Sequence, residues 1–143
     1  FDSEIAFANS RSRLRMITLY QIAQSNKGLV VGTGNKVEDF GVGFYTKYGD
    51  GGVDISPIAD CTKTQVWEMA SEMSIIQDII DAKPTDGLWD DSRNDENQLG
   101  LTYQQIEEAM DNSNSKYYKK YSEIRESNLH KMKSIPVCTF RKK

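Results

Sequence analysis

From Gly32 to Pro57 the chain reads GTGNKVEDFGVGFYTKYGDGGVDISP, which packs seven glycines among four carboxylates and two lysines. Two arrangements suit such a stretch. One is a β-hairpin, with VGFYTKY and VDIS as strands joined by the turn GDGG. The other is a binding loop, because glycine lets bare backbone N–H groups approach an anion closely. The hairpin leaves unexplained why Thr33, Glu38, Lys47 and Asp54 gather in one segment. Neither common phosphate signature is present: GTGNKV lacks the third glycine of the dinucleotide fingerprint, and no G-x-x-x-x-G-K-[ST] occurs.

The flanks of this segment point to an α/β fold. ANSRSRLRMITLYQIAQS predicts a helix opening near Asn9 or Ser10, with Met16, Leu19, Tyr20 and Ala23 as a buried stripe at i, i+3, i+4 and i+7. KGLVVGTG follows, a short apolar run bounded by glycines, the pattern of a strand buried on both faces. Helix, short loop and such a strand are the grammar of an α/β fold, whose strand C-termini face ligands. A hydroxyl such as Thr33 at that edge, with a carboxylate for Mg²⁺ and a lysine for phosphate charge, suits a nucleotide.

Further along, TKTQVWEMASEM opens with a capping box, Thr62 answered by Gln65, and carries an apolar face of Val66, Met69, Ala70 and Met73. SIIQDIIDAKP predicts a short helix stopped by Pro84. PTDGLWDDSRNDENQLG predicts a loop, with the acidic part from Asp90 to Glu96 solvated and assigned no chemistry beyond lid motion. LTYQQIEEAMD repeats the capping box with Thr102 and Gln105 and aligns Tyr103, Ile106 and Met110. After NSNS, KYYKKYSEIRESNLHKMKS predicts an amphipathic helix broken near Ser127, and the tail VCTFRKK ends basic.

With 143 residues, 38% hydrophobic and 27% charged, the expectation is one ordinary soluble domain with a real core. Against 18 basic residues stand 21 acidic ones, so no global field draws the chain to nucleic acid or an anionic membrane. No apolar run approaches the ~20 residues that span a bilayer. FDSEIAFANS has neither the basic head nor the apolar block of a secretory signal. Cys61 and Cys138 each stand without a close His or Cys, so free buried thiols in a reducing cytoplasm are expected, not a structural metal site. Residue 1 is Phe, which leads us to expect a piece of a longer chain.

RSRLRM, GTGNKVE, GFYTKYGDGGVDISPIAD, KTQV, PTDGLWDD and DENQLGLTY, in that order and spacing, closely resemble ammonia-dependent NAD synthetase. That family belongs to the N-type ATP pyrophosphatases, and the likeness covers nearly the whole chain. It implies an α/β fold, a Rossmann-like doubly wound parallel sheet of the adenine nucleotide alpha hydrolase type, helix-rich in this part. It also implies that residues 1–143 are a single domain, the C-terminal portion of an NAD synthetase domain. The implied reaction is that of a ligase. ATP adenylates the nicotinate carboxylate of deamido-NAD, pyrophosphate leaves, and ammonia displaces AMP to give NAD. Mg²⁺ is the implied cofactor, ATP the co-substrate and a cytoplasmic homodimer the implied assembly.

By the same resemblance Thr33 and Thr85 match ATP contacts, and Lys63 of KTQV matches a catalytic lysine on the phosphates. Glu38 matches the metal ligand. Arg13, Lys47, Asp54, His130 and Lys131 match contacts to deamido-NAD, in a site formed partly at a dimer interface. Between GTGNKVE and GFYTK the chain carries one residue more than the family pattern, so Asp39 competes with Glu38 for the metal. The family's pyrophosphate loop, SGG-x-DS, has no counterpart here, so the fragment alone is expected to be inactive. Two alternatives stand beside this reading: another ATP pyrophosphatase amidating a different acceptor, and a non-catalytic nucleotide-binding or dimerisation module.

Three residue-level expectations complete the reading. His130, the only histidine, sits on a polar helix end and reads as solvent-exposed on sequence alone. Arg11 and Arg15 share a helix face while Arg13 points largely away. Lys63 falls in the first turn of a helix, where the macrodipole disfavours a cation and a nearby phosphate would offset the cost.

Overall fold

The computed structural model describes residues 3–91 and 93–140. Its elements are α1 (Glu4–Ser25), a π-helix (Val37–Val42), α2 (Lys63–Glu72), α3 (Gln77–Ile80), α4 (Asp95–Leu99), α5 (Tyr103–Asp111) and α6 (Tyr118–Met132). The core lies where the π-helix, α5 and α6 meet. Val37, Val42, Tyr103, Ile106 and Ala109 are each 0% exposed there, and Trp67 of α2 and Phe44 close its edges.

Local chemistry explains these helices. Thr102 Oγ1 accepts from the Gln105 N–H at 3.2 Å while Gln105 Oε1 accepts from the Thr102 N–H at 3.1 Å, so α5 starts with two otherwise orphaned donors satisfied. Its buried residues, Tyr103, Ile106 and Ala109, recur every three positions and form one face. Thr62 and Gln65 make the same box on α2. Helix α6 runs unbroken through Ser127, whose hydroxyl donates back to the Ile124 carbonyl at 2.7 Å. The expected break there is absent because the polar side chain bonds within the helix.

Several expectations need correction. Helix α1 begins at Glu4, not near Asn9, because Ser3 Oγ accepts from the Ala6 N–H at 3.3 Å and caps it earlier. Its stripe is not buried: Leu19 is 53% exposed, and the buried residues of α1 are Ala8 and Ser12. Nor does the run before the glycines form a strand covered on both faces. Val30 is buried, but Leu29 and Val31 are 64% and 53% exposed. Among the described residues the only β-pairing is the isolated parallel contact of Val31 with Ile55, tied by Gly32 N–H to the Ile55 carbonyl at 2.7 Å. A doubly wound parallel sheet needs further strands beside this one, and no other described segment supplies them.

The hairpin reading also fails. VGFYTKY is the end of the π-helix followed by a tight turn, and VDIS pairs in parallel through Ile55. A π-turn closes i to i+5 and so holds one residue more than an α-turn. Gly43 ends it at φ +66°, where a Cβ would come within 2.8 Å of Asn128 Cβ. The acidic segment is not all loop, since Asn94 and Asn97 form a capping box that starts α4. Both cysteines are free, but Cys138 is exposed and Cys61 only partly buried. The basic ending of the chain, residues 141–143, lies outside the described residues. No described helix is long and apolar enough to cross a membrane.

Candidate functional site

A cavity of about 490 Å³ opens where the Val30–Gly34 segment ends, walled by α1, the π-helix, the first turn of α2 and the 84–88 loop. Thr33, Glu38, Lys63 and Thr85 all line it. Glu38 is aimed by its own chain: buried Asn35 accepts the N–H groups of Val37 and Glu38 through Oδ1, at 3.0 and 3.1 Å, and so fixes the start of the π-helix. Across the cavity Lys63 Nζ lies 3.3 Å from Glu38 Oε1 and 5.0 Å from the centre of the Tyr103 ring. The Tyr103 hydroxyl donates to the same Glu38 oxygen at 2.7 Å, and burial beside two carboxylates pushes its pKa up.

Lys63 needs no phosphate to explain its place at a helix N-terminus. Glu38 pairs with it, and the Glu107 carboxylate accepts from the Thr64 N–H at 3.0 Å and from its hydroxyl at 2.6 Å. Two carboxylates therefore offset the macrodipole in the first turn of α2.

Asp39 lines the same cavity, and its carboxylate lies over Gly34, where a Cβ would overlap it. Burial, then Glu38 and Asp50, raise its pKa to about 6. Both Glu38 and Asp39 therefore face the space where a cation is expected. Among the described residues no three His, Cys, Asp or Glu side chains gather as a metal cage. Hard oxygen donors in ones and twos suit Mg²⁺, which keeps its waters and leans on substrate phosphates.

The loop bearing Thr85 is drawn closed by Asp95 N–H to the Pro84 carbonyl at 3.0 Å. Thr85 Oγ1 accepts from the Gly87 N–H at 3.2 Å. Arg11 donates to the Leu88 carbonyl at 2.8 Å, and Arg15 to the carbonyls of Asp86 and Gly87 at 3.1 and 2.8 Å. Arg13 turns the other way and donates to the Lys47 carbonyl at 3.3 Å. The alternation of the three arginines thus separates two tasks, as the spacing implies.

On Arg13's side a second cavity, about 450 Å³, is lined by Arg13, Lys47, His130 and Lys131. Lys47 Nζ donates to the His130 carbonyl at 3.2 Å, and Lys131 Nζ to the Tyr45 carbonyl at 2.7 Å. Burial lowers the Lys131 pKa. His130 is exposed at the cavity edge. Asp54 joins neither cavity. Its carboxylate accepts from the Val30 N–H at 2.8 Å and from the Tyr20 hydroxyl at 3.3 Å, and so holds the β-pairing in place.

Two cavity residues escaped the sequence reading. Asp50 lines both cavities and accepts from the Ser12 hydroxyl at 2.8 Å and the Thr46 N–H at 2.9 Å. Asp95 lies in the segment read as solvated, yet it is buried against the first cavity, and burial raises its pKa against the opposing hydrogen bond from Tyr103. Its spacing of four from Leu99, on the face that packs inward, is the signal that was available.

Residues 2–143 match the family model described as NAD synthase. Among curated proteins the NH(3)-dependent NAD(+) synthetase of Carboxydothermus hydrogenoformans is 46% identical over 107 residues, covering 75% of this chain and 43% of that protein. The solved NMN synthetase from Francisella tularensis superposes at a TM-score of 0.89 with 33% identity, covering 98% of this chain and 59% of that one. The NH3-dependent NAD synthetase from Campylobacter jejuni, in complex with the nitrate ion, gives a TM-score of 0.72 at 21% identity and shares the fold, covering 97% of this chain and 58% of that one. The chain spans about half the length of the curated relatives it matches.

Proposed function

The chain belongs to the NAD synthase family, and from that premise we propose that it is the C-terminal portion of an NAD synthetase domain. The fold proposed for the whole domain is the doubly wound sheet of adenine nucleotide alpha hydrolases, with Leu29–Val31 as one of its strands. The polypeptide amidates deamido-NAD with ammonia through an acyl-adenylate, releasing pyrophosphate and then AMP.

One observation carries the reading: Thr33, Lys63 and Thr85, far apart in sequence, line one cavity together with Glu38. Lys63 holds the phosphates of ATP, and Thr33 and Thr85 flank the nucleotide. Glu38 and Asp39 are the residues that would hold Mg²⁺, which supplies charge neutralisation for the departing pyrophosphate. The acceptor occupies the second cavity, with Arg13, Lys47, His130 and Lys131 as its polar contacts, in a homodimer. Asp54 fixes the Val30 edge of the first cavity instead of touching the acceptor. Catalysis is positioning plus charge stabilisation, since a weak carboxylate nucleophile must sit in line with the α-phosphorus. The acyl-adenylate is then kept from water until ammonia arrives.

The test is formation of AMP and NAD from ATP, deamido-NAD, ammonium and Mg²⁺ by the polypeptide as encoded, with any residues that precede Phe1. Lys63→Ala is expected to lower turnover at least ~100-fold, the scale for losing one transition-state charge contact. Near-normal turnover removes Lys63 from the site. ATP binding without AMP release indicates a binding module instead. The likeness to an NMN synthetase favours one second reading, in which the acceptor is nicotinate mononucleotide and the product NMN. Comparing kcat/KM for the two acceptors decides between them.

A further inference from the structure

The π-helix that carries Glu38 and Asp39 is held at both ends by side chains from outside it. Asn35 fixes its start through the Val37 and Glu38 N–H groups. A helix leaves its last carbonyls without partners inside it, and in a six-residue element that is a large share of the backbone. Here α6 supplies the donors. Arg125 Nη1 donates to the Phe40 carbonyl and, at 2.7 Å, to the Gly41 carbonyl, while Asn128 Nδ2 donates to the Val42 carbonyl at 3.0 Å. The opposite side is close-packed too, since a Cβ on Gly41 would come within 2.8 Å of Met110 Sδ on α5. Arg125 itself lines neither cavity.

We propose that Arg125 is a positioning residue for the cation: by clamping the Phe40 and Gly41 carbonyls from α6 it fixes the π-helix and so the aim of Glu38 and Asp39. This rests on the assignment of Mg²⁺ to those two carboxylates. Arginine suits the task because one guanidinium nitrogen carries two N–H groups in a fixed plane and can serve two carbonyls at once. Without it both carbonyls lose their donor, and the turn has to find other partners by shifting. Mg²⁺ is sensitive to such a shift, because it demands near-ideal octahedral oxygens and takes only one or two carboxylates from the protein. Asn128 helps at the next carbonyl but also lines the second cavity, so Arg125 is the cleaner handle.

Mn²⁺ binding to the polypeptide as encoded tests this, followed by electron paramagnetic resonance with ATP present and no acceptor, so that nothing turns over. Arg125→Ala is expected to weaken Mn²⁺ binding about 10-fold, the low end for losing a partner behind a metal ligand. Arg125→Lys, which keeps the charge and a donor, recovers part of the loss. Ile124→Ala loosens the same helix against the core without removing any of these donors, and should leave Mn²⁺ affinity unchanged. Normal Mn²⁺ affinity in Arg125→Ala overturns the inference, and so does an equal loss in Ile124→Ala. Should Arg125→Ala fail to fold, NMR on the unmutated protein decides. On titrating Mg²⁺ with ATP present, the Arg125 Nε–H signal should shift along the same curve as the Glu38 amide, and an unmoved Arg125 signal overturns the inference. An unmutated protein that adds nothing to the Mn²⁺ affinity of free ATP sinks the cation assignment and this inference with it, whereas Mn²⁺ binding indifferent to Arg125 sinks this inference alone.

Discussion

The two sides of the first cavity are built differently. Glu38, Lys63 and Asp95 stand on the packed side, where Tyr103, Ile106 and Val37 are 0% exposed. Arg15, Met16 and Leu19 stand on the open side, on α1, whose Leu14, Ile17 and Ile22 are more than half exposed. Leu29 and Val31 beside it are equally bare. A helix and an extended segment with this much exposed apolar surface carry the pattern of elements meant for burial, without the burial. The packed side brings Glu38, Lys63 and Asp95 onto a buried core. The open side brings Thr33 and the arginines but little core.

Substitutions on the two sides can break that contrast. The largest effect is expected for Ile106→Ala, which should cost about 2–5 kcal/mol in urea unfolding, whereas Ile17→Ala on the open face should stay within about 0.5 kcal/mol. Equal costs would mean that α1 is packed after all. Next comes Tyr103→Phe, which keeps the ring but removes the hydroxyl between Glu38 and Asp95. We expect a loss of about 2 kcal/mol and a higher Mg²⁺ requirement for turnover, and an unchanged Mg²⁺ titration would argue that the hydroxyl does not position Glu38. Thr102→Ala, which removes the cap of α5, should cost about 1 kcal/mol by the same unfolding measurement.

A pH-dependent effect concerns Asp39, which faces Glu38 and Asp50 and shares a hollow with Lys131. Burial, then the Glu38 and Asp50 charges, raises its pKa from the ordinary 3.8 to about 6, so the folded state binds the proton more tightly than the unfolded one. Ionising Asp39 therefore costs stability above about pH 6, and the cost is relieved as pH falls toward about 4. Asp39→Asn should raise stability near neutral pH and flatten that slope. A steeper slope in the variant would reverse the sign of the claim.

Much of the packed side was legible because its signals are local. The Thr62–Gln65 and Thr102–Gln105 boxes and the shared face of Tyr103 and Ile106 need no distant partner, although the third fully buried position of that face is Ala109 and not the expected Met110, which is partly buried. The three arginines were legible for the same reason, since helix geometry alone separates Arg13 from its neighbours. Helix α4 was missed because Asn94 and Asn97 cap it with amides, outside the usual Ser/Thr with Glu/Gln pattern. The placement of Asp54 depends on Val30 and Tyr20, far back along the chain, which no spacing rule reaches, whereas Asp95 was marked only by its four-residue spacing from Leu99. The open side misled the reading because its pattern is that of a buried strand and helix, and the described residues do not bury it.

The most direct test of the ATP assignment is an NMR titration of the polypeptide as encoded with ATP and Mg²⁺, following the Thr33, Lys63 and Thr85 resonances. Lining one cavity, the three should shift together along a single saturating curve, with Arg13 and His130 little changed. Shifts confined to the second cavity, or three residues responding with unrelated curves, would contradict it.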